Sequence, residues 1–248
     1  MKFNEIAEHV KGIPYTQLEM GRVLYNHIIK TKPKHCLELG FAHGVATCYV
    51  AAALDELGEG KVTAVDIQSS INRKPNLEEL LKKTKLTKYV TVEREVNSYT
   101  WYLKKAIEAN SNELHCNPIF DFCFIDGPKN WTIDGFAFFL VDKLMKQDGW
   151  ILFDDYRWIY SQMQGETVAG FVKREFSDDQ LNAAQIEQVF KLLVMQHPDY
   201  GNFIVDDDWA WAQKTKVGTP KLALKSTKSF KYRLLKKLGK KNFKQNSF

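Results

Sequence analysis

HCLELGFAHGVAT, residues 35–47, is the stretch that decides the fold. Residues 35–39 form a short, mostly apolar run of strand length. Gly40 and Gly44 bracket a turn, and VATCYVAAALDEL, from Val45, continues as a largely apolar helix. Glycine at such a turn permits a tight bend and close approach of the backbone to a ligand. The spacing is GxxxG and lacks the third glycine of a dinucleotide fingerprint, which argues against a nicotinamide cofactor. A second strand, KVTAVD (61–66), ends on Asp66, 22 residues after Gly44. A carboxylate there can accept hydrogen bonds from ribose hydroxyls. Alone, each feature is also consistent with a plain βα turn and a solvated Asp. In this order and at this distance they point to a nucleoside-containing ligand.

The alternation continues outward from this unit. Strands are expected at YVTVER (89–94), FDFCFID (120–126) and GWILFDD (149–155). Helices are expected over QLEMGRVLYNHIIKT, capped by Thr16 and ended by Pro33, and over NLEELLKKTKL, TWYLKKAIEAN and GFAFFLVDKLM. A mostly polar segment with helical pieces runs to about Met195, and GNFIVDDDWAWAQK then reads as a closing hairpin. Strands alternating with helices predict an α/β, doubly wound, mostly parallel sheet.

Two buried strands end on carboxylates: Asp126 after the fourth, Asp154 and Asp155 after the fifth, 28 residues later. In a parallel sheet both ends share one edge, and neighbouring strands lie about 4.8 Å apart. The carboxylates can therefore converge in the crevice where such folds bind ligands. Close carboxylates repel one another unless a cation or proton intervenes, and a hard divalent ion such as Mg²⁺ takes oxygen ligands while keeping positions open for substrate. The competing reading is that these aspartates cap the helices or loops that follow.

The ELGxxxG turn followed by Asp66 resembles the first motifs of class I S-adenosylmethionine-dependent methyltransferases. That resemblance implies a seven-stranded Rossmann-like sheet, with Glu38, Gly40, Phe41, Gly44, Asp66 and Asp126 around the cofactor and Asn97 and Ser98 near its adenine. The pattern DxxK followed by DD resembles catechol-type O-methyltransferases. By that likeness Asp126, Asp154 and Asp155 hold Mg²⁺ or another divalent cation, and Lys129 sits near the accepting hydroxyl. The double Asp, with FIDG, WxxDGF and GWxLFDDY, is closer to the macrocin-type and methyltransferase domain 24 groups. Many members carry Asp-His after the FIDG glycine, where this chain has Pro128 and Lys129. The implied reaction is in-line transfer of the sulfonium methyl to a hydroxyl oxygen of a small molecule or glycan. Lys129 is the first candidate for base, provided its surroundings depress its pKa, and Asp126 the second. Trp131, Tyr156, Trp158 and Tyr160 are candidates for stacking on the acceptor, and Tyr15 for a lid within an N-terminal helical segment (1–32).

Charge divides the chain. From Lys214 onward lie 12 of the 35 Lys and Arg and none of the 30 Asp and Glu, which leaves residues 1–213 at a net −7. A catalytic domain over 1–213 and a basic tail over 214–248 are therefore expected. In SFKYRLLKKLGKKNF (229–243), Phe230, Leu234, Leu235 and Leu238 recur at helical spacing among Lys and Arg. Three readings stay open: contact with an anionic membrane surface, contact with nucleic-acid phosphates, or a solvated or docked segment. Cys36, Cys48, Cys116 and Cys123 show no CxxC pair and read as reduced thiols. No run is long and apolar enough to span a bilayer, and MKFNEIAEHVKG has no signal-peptide core. A cytoplasmic enzyme is expected, contact of the tail with the inner membrane face being one of those open readings and homodimerisation an analogy with relatives. The alternatives are an RNA methyltransferase, against which no N/D-P-P-Y/F motif is found, and a non-catalytic cofactor-fold module.

Overall fold

The computed structural model describes residues 1–163 and 176–216. The amphipathic stretch 229–243, and the basic tail from residue 217 on, lie outside the described residues. The elements are α1 (Phe3–Val10), α2 (Leu18–Thr31), β1 (His35–Leu39), α3 (Val45–Leu57), β2 (Lys61–Ile67), α4 (Leu77–Thr84), β3 (Val90–Glu95), α5 (Tyr99–Ala109), β4 (Phe120–Ile125), α6 (Trp131–Leu144) and β5 (Met145–Phe153). Two short helices, Asp178–Asn182 and Gln185–Val189, the latter continued by a π-helical turn, lead to β6 (Tyr200–Asp206) and β7 (Trp209–Lys214). The seven strands form one sheet in the order β3-β2-β1-β4-β5-β7-β6. β1 to β5 are parallel, and β7 runs antiparallel to both β5 and β6. This is the expected doubly wound sheet with its closing hairpin.

Packing explains the sequence pattern. One face of the sheet is covered by α1, α2, α3 and α4, with Leu24, Ile28, Leu54 and Leu80 in its core. The other is covered by α5, α6 and the helix at Gln185–Val189, with Leu103, Phe138, Val141 and Phe190. α3 is buried from Val45 through Leu54, which is why its sequence is apolar on nearly every side. Among the described residues, no helix is long and apolar enough to cross a membrane.

Boundaries moved where local capping differed from expectation. α2 starts at Leu18 with Gln17 at its cap and no side-chain cap bond, so Thr16 does not cap it. α6 starts at Trp131, earlier than its apolar run suggests, because the Asn130 side chain accepts the N–H groups of Thr132 and Ile133 at 2.8 and 3.1 Å. β5 begins at Met145 rather than Gly149.

The register sets the chemistry. Leu39 pairs with Val65 and with Ile125, and Ile125 pairs with Phe153. The next residue of each strand therefore falls on one row: Asp66, Gly40, Asp126, Asp154. The row is tied by backbone bonds from Gly40 N–H to Val65 O (2.8 Å), Asp126 N–H to Leu39 O (2.8 Å) and Asp154 N–H to Ile125 O (3.1 Å). Gly40 has φ +91°, and a Cβ there would collide with the Asp126 carbonyl oxygen. Left-handed backbone and overpacking each cost a side chain about 1–3 kcal/mol. Gly40→Ala should accordingly lower the thermal midpoint by about 5–15 °C. An unchanged midpoint in a circular-dichroism melt would show that the turn does not need glycine.

Candidate active site

A cavity of about 1120 Å³ opens along this row. Its inner wall is the glycine turn and strand ends, with Gly40, Ala42, Asp66, Asn97, Ser98 and Tyr99. Tyr15, Met20 and Val23 on the N-terminal side and the β6–β7 tip, Asp206 to Trp209, line it as well. Asp126, Lys129, Asp154 and Asp155 line it from the ends of β4 and β5.

The turn is built around two carboxylates. Asp66 Oδ2 accepts the N–H groups of Phe41 and Ala42 at 3.0 and 2.7 Å, and Oδ1 accepts the Ile67 N–H at 2.6 Å. Asp66 thus holds the turn in shape while still lining the cavity. Glu38 lies behind the turn at 2% exposure. The Thr47 hydroxyl donates to its Oε2 at 2.6 Å, and Oε1 has no partner. Burial pushes the Glu38 carboxyl up to about 8; the Asp66 charge adds to the rise and the Thr47 bond opposes it.

The acidic side gathers Asp126, Asp154 and Asp155, each offering one oxygen within 4.8 Å of the others. Lys129 pairs with Asp126 and, at 3.1 Å, with Asp155. The Trp209 indole Nε1–H donates to Asp154 Oδ1 at 2.5 Å. Burial raises the Asp126 and Asp154 carboxyls above their ordinary range. Lys129 opposes this, and the neighbouring carboxylates reinforce it. One ammonium therefore faces three carboxylates and does not neutralise them. Lys129 itself was the first candidate for base if its pKa were depressed. Its burial acts in that direction, but the charges of Asp126, Asp154 and Asp155 outweigh it and hold the ammonium above its ordinary value. In this arrangement Lys129 is a bound cation. Backbone strain concentrates here as well: Tyr15, Ala42, Lys129, Asp155 and Asp207 all have φ between 49° and 86° and all but glycine-like residues avoid it.

The expected residues fall into two groups. Gly40, Asp66, Asn97, Ser98, Asp126, Lys129, Asp154 and Asp155 all line the cavity. Glu38, Phe41 and Gly44 stand behind it: Phe41 is buried under the Arg94 guanidinium, 5.2 Å from its ring, and Gly44 precedes α3 against Leu77. Ser98 also caps α5, accepting the Thr100 N–H at 3.2 Å. Of the four aromatics, Trp158 lines the cavity, whereas Tyr156 and Tyr160 are buried in packing and Trp131 sits at the start of α6. Tyr15 lines the cavity and stacks on His43, with Arg73 donating to its hydroxyl at 3.2 Å. The sequence reading missed Arg73, Tyr99 and the tip Asp206 to Trp209. The DDDW run at the hairpin turn was the visible signal for the last of these.

The sheet order, the glycine turn and the cavity at the parallel strand ends define the fold of class I S-adenosylmethionine-dependent methyltransferases. Residues 37–156, just under half of the chain, from within β1 to just past Asp155, match the family described as a methyltransferase domain. Solved structures share the fold. A Bacillus cereus O-methyltransferase in complex with S-adenosylhomocysteine is 16% identical, with 86% of this chain and 90% of that chain covered and a TM-score of 0.57. TomG, an O-methyltransferase from Streptomyces achromogenes involved in tomaymycin synthesis and solved with S-adenosylmethionine, is 14% identical over 86% and 89%, at 0.58. The S-adenosylhomocysteine-bound methyltransferase PaMTH1 from Podospora anserina is 16% identical over 86% and 88%, at 0.59. No curated protein matches the chain in sequence.

Glu38 gives this site a pH signature. In the folded, cofactor-free chain its carboxyl keeps its proton to about pH 8, while in the unfolded chain it releases it near the ordinary value of 4.5. Folding takes up a proton between those limits, so the contribution of Glu38 to stability declines as pH rises through the window. Glu38→Gln removes that decline. The melting midpoint of the wild type, minus that of the variant, should fall steadily from about pH 5 to about pH 8. A constant difference would mean that Glu38 does not titrate there.

Proposed function

We propose that the protein transfers a methyl group from S-adenosylmethionine to a hydroxyl oxygen of a small molecule or glycan, with a divalent cation held by Asp126, Asp154 and Asp155. The observation that carries this reading is the convergence of those three carboxylates, within 4.8 Å, beside the glycine turn. The residues fit such an ion. Mg²⁺ binds oxygen at about 2.0–2.1 Å, so ligands on opposite sides of it stand about 4.2 Å apart. The three carboxylates are all oxygen donors, as a hard divalent ion requires, and their oxygens converge beside one ammonium, Lys129. When bound, the cofactor supplies an electrophilic methyl and the cation polarises the acceptor hydroxyl.

The chain itself supplies position. The turn from Gly40 to Ala42, held by Asp66, presents backbone where the cofactor approaches. Asn97 and Ser98, which follow β3, line the same cavity and by the family resemblance would meet the adenine. Asp126 lies on the shared row between the two halves of the cavity, where it can orient the acceptor and take its proton. Lys129 fixes Asp126 and Asp155 in their places. Trp158, next to the carboxylates in sequence, can pack on the acceptor, and Tyr15, stacked on His43 of the turn, can cover the cofactor. Among the ionisable lining residues, eight are carboxylates and two, Arg73 and Lys129, are cationic. That balance suits an uncharged or cationic acceptor and opposes a polyanionic nucleic acid. The basic sequence beyond β7 supports a separate contact with an anionic surface such as a membrane, with no part in the transfer.

Calorimetric titration with S-adenosylmethionine, with and without Mg²⁺ and chelator, tests the reading. Asp154→Ala should abolish methyl transfer while S-adenosylmethionine still binds, and excess chelator should do the same to the wild type. Full turnover in chelator would remove the cation from the proposal. Lys129→Met should bind the divalent ion more tightly, because no ammonium then has to be displaced or tolerated, yet turn over more slowly. Unchanged turnover in that variant would take Lys129 out of the mechanism.

A further inference from the structure

The β6–β7 hairpin reaches the acidic row from the far side of the sheet. Phe153 pairs with Ala210 in the antiparallel register, so Trp209 stands beside Asp154 on the same row as Asp66, Gly40 and Asp126. Its indole Nε1–H donates to Asp154 Oδ1 at 2.5 Å, and the two residues are 6% and 8% exposed. The ring is held in turn by Phe124, 5.8 Å away, and by Trp211, 5.9 Å away edge-on. The same hairpin grips the backbone beyond Asp155: Tyr156 N–H donates to Asp208 O at 2.8 Å, and Arg157 N–H to Asp208 Oδ1 at 3.3 Å. Asp155, held in between, has φ 54°.

We propose that Trp209 is a positioning residue for the cation site, fixing the Asp154 carboxylate so that it meets Asp126 and Asp155 at one point. The inference rests on the cation reading of those three residues. An indole nitrogen can only donate, so one Asp154 oxygen is permanently an acceptor in this pair and the carboxylate plane cannot turn freely. Lys129 holds Asp126 and Asp155 with a positive charge, which a divalent ion at the same carboxylates repels. Trp209 holds Asp154 with a neutral N–H, which the ion has no reason to displace. The hairpin thus keeps one ligand in place whether or not the cation is bound. Outer partners of this kind orient metal ligands, and their loss typically costs about 10–100-fold in metal affinity.

The test is Mn²⁺ binding to the metal-stripped full chain, read from the electron paramagnetic resonance of free Mn²⁺ and by calorimetry, with no assay of turnover. Five proteins are compared: wild type, Trp209→Phe, Trp209→His, Trp211→Phe and Asp154→Ala. Trp209→Phe keeps a buried ring and loses the donor, and Mn²⁺ affinity should fall about 10–100-fold. Trp211→Phe keeps an aromatic ring beside Trp209 and leaves the Trp209 N–H on Asp154, and should bind Mn²⁺ as the wild type does. Trp209→His, which returns a ring N–H, should recover part of the loss. S-adenosylmethionine affinity should stay near wild type in all the tryptophan variants. Wild-type Mn²⁺ affinity in Trp209→Phe, with the loss confined to Asp154→Ala, would overturn the role of Trp209 and leave the cation site standing. An equal loss in Trp211→Phe would reduce the effect to packing and overturn it as well. If the wild type binds no Mn²⁺, or Asp154→Ala binds it unchanged, the cation reading fails and Trp209 falls with it.

Discussion

Leu39 lies in register with Val65 on one side and Ile125 on the other, and Ile125 with Phe153. Because parallel strands advance together, the residue that follows each pairing emerges at the same height. Gly40 lets the chain leave this row over the Asp126 carbonyl, where a side chain would collide. Asp66 then ties down the turn so produced. The cavity, its acidic side and its cofactor wall are all consequences of where four strands stop.

Burial of charge along this row sets the second constraint. Three carboxylates meet one ammonium in surroundings that bury Asp154 and leave Asp155 partly exposed. Such an arrangement costs more than an apolar core of the same volume, and proteins keep it where the charges have a use. Lys129 offsets part of the repulsion. A divalent ion bound to the same oxygens would offset more of it.

Much of this was legible in the sequence. The order of strands and helices followed from apolar runs of strand length alternating with helical periods, and the aspartates at 126, 154 and 155 were visible as carboxylates closing buried strands. Three things were not. Glu38, Phe41 and Gly44 belong to the glycine motif, yet whether a side chain faces the crevice or supports it from behind depends on packing against α3 and α4, which a motif does not encode. The direction of the Lys129 shift depends on whether burial or three nearby charges prevails, and that contest is decided by distances. Trp209 is brought to Asp154 by an antiparallel return from 55 residues further along, and register between strands so far apart cannot be read from either one.

That return has a consequence for how the molecule is made. β7 inserts between β5 and β6, so the edge of β5 remains unpaired until residues 209–214 have been synthesised and docked. Until then Ile151, Leu152 and Phe153 belong to a strand with a free edge, the kind of surface that recruits other chains. Closing the sheet hides that edge and brings the indole to the carboxylate in the same event. A chain that has not finished folding is thus at its most aggregation-prone while its site is still incomplete, and assembly of the site doubles as a checkpoint on the fold.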